Sequence, residues 1–247
     1  MNRDAFEHAV YQSWAERFDY PVAALHRPGT VILPEAEFAS THAVHIWTIG
    51  ARAFARLDPA LEVLVAEAIG DRVDAEAITA HHLRATLGHA GIERVEDSVL
   101  RYLYPADFRP SPPPEHLALR TLTADDAEAL AALQAACTDA EVEEAEIAVD
   151  DEIGFACFDG PRLTAAATGF RLTGFMDIGV LTHPAYRRRG LGRAVVSALC
   201  RWCIDAPIIA QYRCLVTNSG SYAISESLGF SLSFAQQSVY LHPPTTH

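Results

Sequence analysis

Residues 182–194 read THPAYRRRGLGRA and lie where a predicted strand meets a predicted helix. Within them, the seven residues from Arg187 to Arg193, the arginine loop, hold four arginines and two glycines. Glycine has no Cβ, so the backbone at Gly190 and Gly192 can approach a ligand closely and turn its N–H groups toward it. The start of the following helix adds the positive end of a dipole. The stretch is therefore predicted to hold a polyanion, with a basic surface turn as the alternative.

Positive charge is local in this chain. The formal net charge is -13 at pH 7, and all nineteen basic residues are arginines. Binding along a nucleic acid backbone needs a broad basic face, so we expect no nucleic acid partner. A small phosphorylated ligand suits one tight basic loop better. The alanine-rich composition without lysine indicates a GC-rich bacterial genome.

Length and composition predict a cytoplasmic protein with two domains. The chain has 247 residues, of which 50% are hydrophobic, and this length favours two domains. It has no apolar run of the roughly 18 to 20 residues that cross a bilayer, and residues 1–14 lack the apolar region of a secretory signal. Five cysteines fit reduced thiols. Cys200 and Cys203 form a single CxxC in an apolar helical stretch, which favours core residues, so no metal is expected.

A proline-rich segment marks the predicted domain boundary. Residues 109–114 read RPSPPP, and four prolines in six residues favour an extended spacer. We therefore expect an N-terminal domain at residues 1–110 and a C-terminal domain at residues 115–247. The patterns in the first domain predict an α+β fold. Its strands are expected at 29–34, 42–50 and 98–105, and its helices at 51–71, with a helix start at Asp58-Pro59, and at 75–91.

The second domain has a regular alternation of strands and helices. Thr123 and Asp126 predict a capped helix that runs to about Cys137, and an acidic stretch follows from Asp139 to Glu152. The predicted strands are 116–122, 152–159, 162–173, 175–184, 209–217 and a final pair within 230–241. The predicted later helices are 191–205 and 221–229.

The second half resembles the GNAT superfamily of acyl-CoA-dependent N-acetyltransferases. In that family a loop of the form R/Q-x-x-G-x-G/A follows the fourth strand, and Arg187, Gly190 and Gly192 match it. A second signature places an asparagine after the fifth strand and a helix that ends in GF. Asn218 and the Gly229-Phe230 pair match that signature. The resemblance covers residues 115–242 and is closest to a bacterial subgroup with an additional N-terminal domain.

The resemblance implies an α/β (α+β) fold with a mixed, splayed central sheet and flanking helices, preceded by a smaller α+β domain. It also implies that the chain uses acetyl-CoA as cosubstrate and acetylates a primary amine by direct attack in a ternary complex. The CoA arm would pair with the backbone of the fourth strand, and the arginine loop would bind the pyrophosphate. The implied CoA-binding residues are Val180, Leu181, Thr182, Arg187, Arg188, Arg189, Gly190, Leu191, Gly192, Arg193 and Asn218.

Three residues are candidates for the catalytic groups. The family's usual acid is a tyrosine seven residues after the asparagine, and this chain has Ser225 there. Tyr222 lies three residues earlier on the same predicted helix, where it either supplies the acid or packs the helix onto the sheet. Asp177 interrupts the apolar run FMDIGV and is the preferred base or amine-binding carboxylate, with a structural salt bridge or a solvent-facing edge as alternatives. Arg213 stands near the position of the glutamate that some members use as base.

Other features leave alternatives open. The acidic stretch could attract a cationic amine, although a solvated helix face is favoured. His183 is expected to be structural, and the spacing of His42 and His45 does not by itself make a metal site. The N-terminal domain either covers the acceptor side or mediates dimerisation, so a monomer or a homodimer is expected.

Two rival functions compete with acetyl transfer. A GNAT-fold module could bind acyl-CoA without catalysis and act as a sensor, because the usual tyrosine and glutamate are absent. A nucleotide-phosphate binder unrelated to CoA would also use a basic, glycine-containing loop.

Overall fold

The computed structural model describes residues 1–88 and 91–242, and it divides into two compact units. The first unit comprises Met1–Val10, Arg101–Cys214 and Asn218–Ser233, and the second comprises Tyr11–Leu100, Leu215–Thr217 and the segment from Phe234 onward. The proline-rich segment at 109–114 thus lies inside the first unit. A division into independently folding domains at that segment stays a prediction.

The described residues form seven α-helices and ten β-strands. The helices are α1 Arg3–Arg17, α2 Glu62–Ile69, α3 Ala80–Leu87, α4 Ala127–Ala135, α5 Asp139–Ala145, α6 Leu191–Asp205 and α7 Ser219–Leu228. The strands are β1 Gly29–Pro34, β2 Ala43–Ile49, β3 Arg52–Leu57, β4 Ile92–Tyr102, β5 Ala118–Thr121, β6 Ile153–Asp159, β7 Arg162–Leu172, β8 Phe175–Thr182, β9 Ile209–Leu215 and β10 Leu232–Leu241.

The second unit contains a mixed sheet. Its strands lie in the order β1-β3-β2-β10-β4. β1 pairs with β3 in parallel, whereas β2 pairs antiparallel with β3 and with β10. One face of the sheet and the helices α2 and α3 share an apolar core that includes Val44, Val65, Leu83 and Val239. The predicted α+β class of this region is confirmed.

The helix predicted across residues 51–57 is wrong, because these residues form β3. Gly50 has a φ of +63°, and with Ala51 it makes a two-residue hairpin loop that places Ile49 opposite Arg52. Pairing on both edges, and complete burial of Phe54, override the helical propensity of the alanines. The predicted helix start at Asp58-Pro59 is confirmed, since Asp58 accepts a hydrogen bond from the backbone N–H of Ala60.

Two further predictions were wrong in detail, one in the length of a helix and one in the number of strands. The helix predicted over 75–91 is shorter, because a capping box at Thr79 starts α3 and Gly88, with a φ of +68°, ends it. The strand pair predicted within 230–241 is a single strand, β10. Its sequence has no glycine, proline, asparagine or aspartate to make a turn, and Ala235 to Tyr240 form one continuous ladder with β2. Helix α1 was not predicted.

The first unit builds its sheet in the order β9-β8-β7-β6-β5. β5 to β8 are antiparallel neighbours, whereas β8 and β9 are parallel. The predicted succession from β5 to α7 is confirmed. α4 and α5 share a core with the sheet through Leu130, Leu133 and Ala145, and α6 packs against β6, β7 and β8. In the part of the chain described, no helix has the length and apolarity to span a membrane.

Candidate functional site

The parallel strands β8 and β9 separate before they end. Their ladder runs from Phe175 opposite Ile209 only to Ile178 opposite Tyr212. β8 continues to Thr182, and its other edge stays paired with β7. Among the described residues, positions 179–182 therefore have no strand partner on the edge that faces β9. The splayed sheet expected from the sequence is confirmed.

A cleft of about 430 Å³ lies at this separation, entirely within the first unit. Its lining combines the open strand edge with helix termini on both sides. The lining residues come from β8 (178–182), the arginine loop except Arg189, β9 (Tyr212 and Arg213), α5 (Glu141, Glu144 and Ala145), and α7 with its cap (Asn218, Gly220, Ser221 and Ile224).

The backbone of the arginine loop closes tightly on the cleft. Arg188 and Gly190 have positive φ angles of 62° and 79°, and Gly190 immediately precedes α6. A Cβ on Gly192 would lie 2.9 Å from Oγ1 of Thr182 and 3.2 Å from Cδ1 of Ile224. The glycine therefore lets the first turn of α6 approach β8 and α7. The backbone N–H groups of this turn have no partner within the helix and can bind an anion.

Two of the four arginine side chains in the loop contact other groups of the protein, and the other two are exposed at the cleft. Arg187 forms a 2.8 Å ion pair with Glu141 of α5 and donates to the carbonyl oxygen of Thr182. Arg189 donates to the carbonyl oxygen of Ala185 and does not line the cleft. Arg188 and Arg193 line the cleft and are exposed. They are the side chains best placed to attract a phosphate.

Asn218 caps α7 and ties it to α5. Its Oδ1 accepts a 3.1 Å hydrogen bond from the backbone N–H of Ser221. Its Nδ2 donates a 3.0 Å hydrogen bond to Glu144, a cleft residue. Part of the acidic stretch therefore lines the cleft, while Glu143 is exposed outside it.

His183 has a local role. Its Nδ1 accepts a hydrogen bond from the backbone N–H of Ala185 at the turn that precedes the arginine loop. Its ring also packs edge-on against Tyr186. Cys200 and Cys203 are fully buried on α6, and burial raises the pKa of both thiols.

Asp177 is a buried carboxylate on β8, 4% exposed. Its Oδ2 lies 3.6 Å from Nε of Arg213, which also pairs with Glu146. Its Oδ1 has no hydrogen-bond partner among the described residues. Burial raises the pKa of Asp177, and the nearby Arg213 charge opposes that rise. A carboxyl of this kind can hold a proton at a pH where an exposed aspartate is ionised.

Residues 142–238 match the family model of the GNAT acetyltransferases. The chain is also 37% identical over 120 residues to a protein described as an uncharacterized N-acetyltransferase in the mutA 5' region of Streptomyces virginiae. Residues 142–238 are therefore a GNAT acetyltransferase domain. The match to the Streptomyces protein covers 46% of this chain and 50% of the relative, so the chain spans about half the length of that relative.

Solved structures agree with the GNAT fold. An acetyltransferase of the GNAT family from Colwellia psychrerythraea superimposes with a TM-score of 0.51 at 12% identity, covering 75% of this chain and 76% of that one. A Drosophila protein superimposes with a TM-score of 0.50 at 18% identity, covering 67% of this chain and 58% of that one. At these identities the likeness concerns the fold alone.

In this GNAT domain, the residue at the position of the family's usual tyrosine is buried. Ser225 is completely buried, and its Oγ accepts a hydrogen bond from Arg101 and donates one to the carbonyl oxygen of Tyr222. The Tyr222 ring is 39% exposed and lies against the Arg101 guanidinium, 4.7 Å from its carbon to the ring centroid. Neither residue lines the cleft.

The cleft of the GNAT domain thus brings together every predicted CoA-binding residue except Arg189. It does not bring Asp177, Tyr222 or Ser225 to its lining, and their catalytic roles stay predictions. Two residues at or beside the site were missed from the sequence, Arg101 and Tyr212. Alternation along β9 puts Tyr212 and Arg213 on opposite faces of the strand, but the end of the ladder with β8 cannot be read from the sequence.

Proposed function

We propose that the GNAT domain transfers the acetyl group of acetyl-CoA to a primary amine. Acetyl-CoA would supply the activated acetyl thioester. The observation that carries the proposal is the separation of β8 from β9 into a cleft that ends at the first turn of α6. The five cysteines are all free thiols, which supports a reducing compartment such as the cytoplasm.

The residues of the cleft fit such a cosubstrate. The open edge at positions 179–182 can add an extended amide-bearing chain as a further strand. The tight approach at Gly192 leaves the helix N–H groups free for a pyrophosphate. Arg188 and Arg193 add positive charge at the same end.

On the side of α5, acidic groups suit an amine. Glu144 lines the cleft, and Asp177 and Glu146 lie on either side of Arg213. Two carboxylates around the Arg213 guanidinium and a third on the cleft lining favour a cationic acceptor over an anionic one. We infer that Asp177 takes the proton from the attacking amine, because its raised pKa makes it a better base than an exposed aspartate.

The alternative is a domain that binds acyl-CoA without turnover. Ser225 stands where the family has a tyrosine, and its hydroxyl is already engaged with Arg101. This observation favours the alternative only if no other group assists the departing sulfur.

Calorimetric titration and a thiol-release assay test the proposal. Acetyl-CoA is expected to bind and to raise the melting temperature, whereas ATP should not. Release of CoA should then depend on an amine, tested with a panel of primary amines. Binding without turnover on any amine favours the sensor, and stabilisation by ATP alone would overturn the CoA site.

Two exposed arginines of α6 provide a matched pair of variants. Arg193 lines the cleft, whereas Arg201 does not and lies over the ring of Phe108. Arg193→Glu should weaken CoA binding by about tenfold at low salt, and Arg201→Glu should change it little. Equal effects of the two substitutions would contradict a phosphate site at the start of α6.

A further inference from the structure

Two buried side-chain oxygens without a hydrogen-bond partner occur among the described residues, Asp177 Oδ1 and Tyr212 Oη. Both belong to the end of the β8–β9 ladder, where Asp177 pairs with Gln211 and Ile178 pairs with Tyr212. Side chains at consecutive positions of a strand point to opposite faces. The two unpartnered groups therefore lie on opposite faces of the sheet, next to the point where the strands part.

Unsatisfied buried hydroxyl groups are rare and need an explanation. Tyr212 is 1% exposed and is one of the residues that line the cleft, and its ring centroid lies 5.7 Å from that of Phe230. Burial raises the pKa of Tyr212, an effect that Ser221 opposes and Glu144 strengthens. Both of these neighbours line the cleft. The phenol therefore stays protonated at neutral pH and lies beside the cleft wall that α7 forms.

We propose that the Tyr212 hydroxyl donates a hydrogen bond to the sulfur of CoA. It would thereby take the role of the tyrosine that the family usually has at the position of Ser225. This inference rests on the proposed function. As the amine nitrogen bonds to the acetyl carbon, the C–S bond breaks and its electron pair moves to sulfur. The proton that the amine loses ends on the sulfur, so CoA leaves as the neutral thiol. The Tyr212 hydroxyl stabilises that developing charge from the face opposite Asp177.

The other hydroxyl groups on this side are less suited. Ser225 is already bonded to Arg101 and is outside the cleft lining. The ring of Tyr222 rests on Arg101 and is also outside the lining. Ser221 lines the cleft, but an alcohol is a weaker donor to a thiolate than a phenol.

Tyr212→Phe and Tyr222→Phe are matched variants, because each removes only a phenol oxygen. Calorimetric titrations would compare CoA with desulfo-CoA, which lacks the sulfur. At a pH above the ordinary thiol pKa, where CoA is a thiolate, wild type and Tyr222→Phe should bind CoA more tightly than desulfo-CoA by about fivefold or more. Tyr212→Phe should bind the two ligands equally. Its melting temperature should not fall, since the lost hydroxyl has no hydrogen-bond partner among the residues that the structure describes.

Turnover provides a second readout. Tyr212→Phe should lower kcat by about 100-fold and leave the KM for acetyl-CoA nearly unchanged. An unchanged preference for CoA over desulfo-CoA in Tyr212→Phe would overturn the proposal, even if kcat falls. If wild type binds neither ligand, the CoA site itself is wrong, and both proposals fall together. If wild type binds CoA but never transfers the acetyl group, the titrations still decide whether Tyr212 contacts the sulfur.

Discussion

Arg101 donates a 3.0 Å hydrogen bond from Nη1 to the Oγ of Ser225, and its Nη2 donates a 2.7 Å bond to the carbonyl oxygen of Phe230. Arg101 is buried, at 8% exposure. Among the described residues it has no carboxylate within ion-pair distance, so these neutral acceptors and the Tyr222 ring solvate its charge. Ser225 therefore has a structural role at the position where the GNAT family usually has the tyrosine that acts as general acid.

The first prediction concerns Ser225→Ala. Removing the acceptor leaves Nη1 of Arg101 without a partner, so the free energy of unfolding should fall by about 1 to 3 kcal/mol. Ser227→Ala is the control, because Ser227 makes the same local bond to the carbonyl oxygen three residues earlier but does not contact an arginine. Denaturant unfolding measures both. If kcat fell instead, with stability intact, Ser225 would have a catalytic role.

The second prediction concerns the pH dependence of stability at Asp177. Burial raises its pKa in the folded protein, so the fold binds this proton more tightly than the unfolded chain does. Its contribution to stability is fully present below the unfolded pKa and is lost as the pH rises through the folded pKa. The stability of wild type relative to Asp177→Asn should therefore decline across that window, as chemical denaturation at several pH values would show.

A third prediction links Arg213 to the rate. If Asp177 is the base, kcat/KM should rise as the pH passes the raised pKa of Asp177. Arg213→Gln removes the charge that opposes this rise in pKa, so the acidic limb should move to higher pH. Arg171→Gln breaks a surface pair with Glu152 instead and should leave the profile in place. A profile that is the same in wild type and Arg213→Gln would exclude Asp177 as the base.

The fourth prediction concerns the ion pair between Glu141 and Arg187. Glu141 neutralises a cation at the end of the cleft that is proposed to hold phosphates, and Arg187 lowers the pKa of Glu141. Glu141→Gln should therefore tighten CoA binding by about two- to fivefold, within the range of exposed pairs. Glu143→Gln removes an equal charge from the exposed face of α5 and serves as control. Weaker binding by Glu141→Gln would show that Glu141 positions Arg187 for the ligand.

The fifth prediction concerns backbone packing at Gly179. A Cβ there would lie 1.9 Å from the carbonyl oxygen of Ala145, so Gly179→Ala must displace the end of α5 from β8. The free energy of unfolding should fall by about 1 to 3 kcal/mol. At Gly220 the nearest atom to an added Cβ is 3.6 Å away, and Gly220→Ala should be neutral or stabilising. Thermal unfolding of the two variants compares them directly.

The sequence predicted local features, such as helix caps and glycine turns, most reliably. The capping box of Thr123 and Asp126, the helix start at Asp58-Pro59 and the glycines of the arginine loop were found because each acts within a few residues. β3 was missed because its alanines favour a helix in isolation, while two neighbouring strands decide its conformation. Arg101 was missed because its partner Ser225 is 124 residues away.

The sequence by itself determined the resemblance of the second half to the GNAT superfamily, the strand and helix order from β5 to α7, and the loop that starts α6, since glycine geometry, capping and strand alternation are local properties. Only the tertiary structure decided where β8 and β9 stop pairing. It also decided that the Ser225 hydroxyl accepts a hydrogen bond from Arg101 and that, within the described part of the chain, the buried Tyr212 hydroxyl has no hydrogen-bond partner. These facts depend on the register and burial of distant segments, which form only when the chain packs.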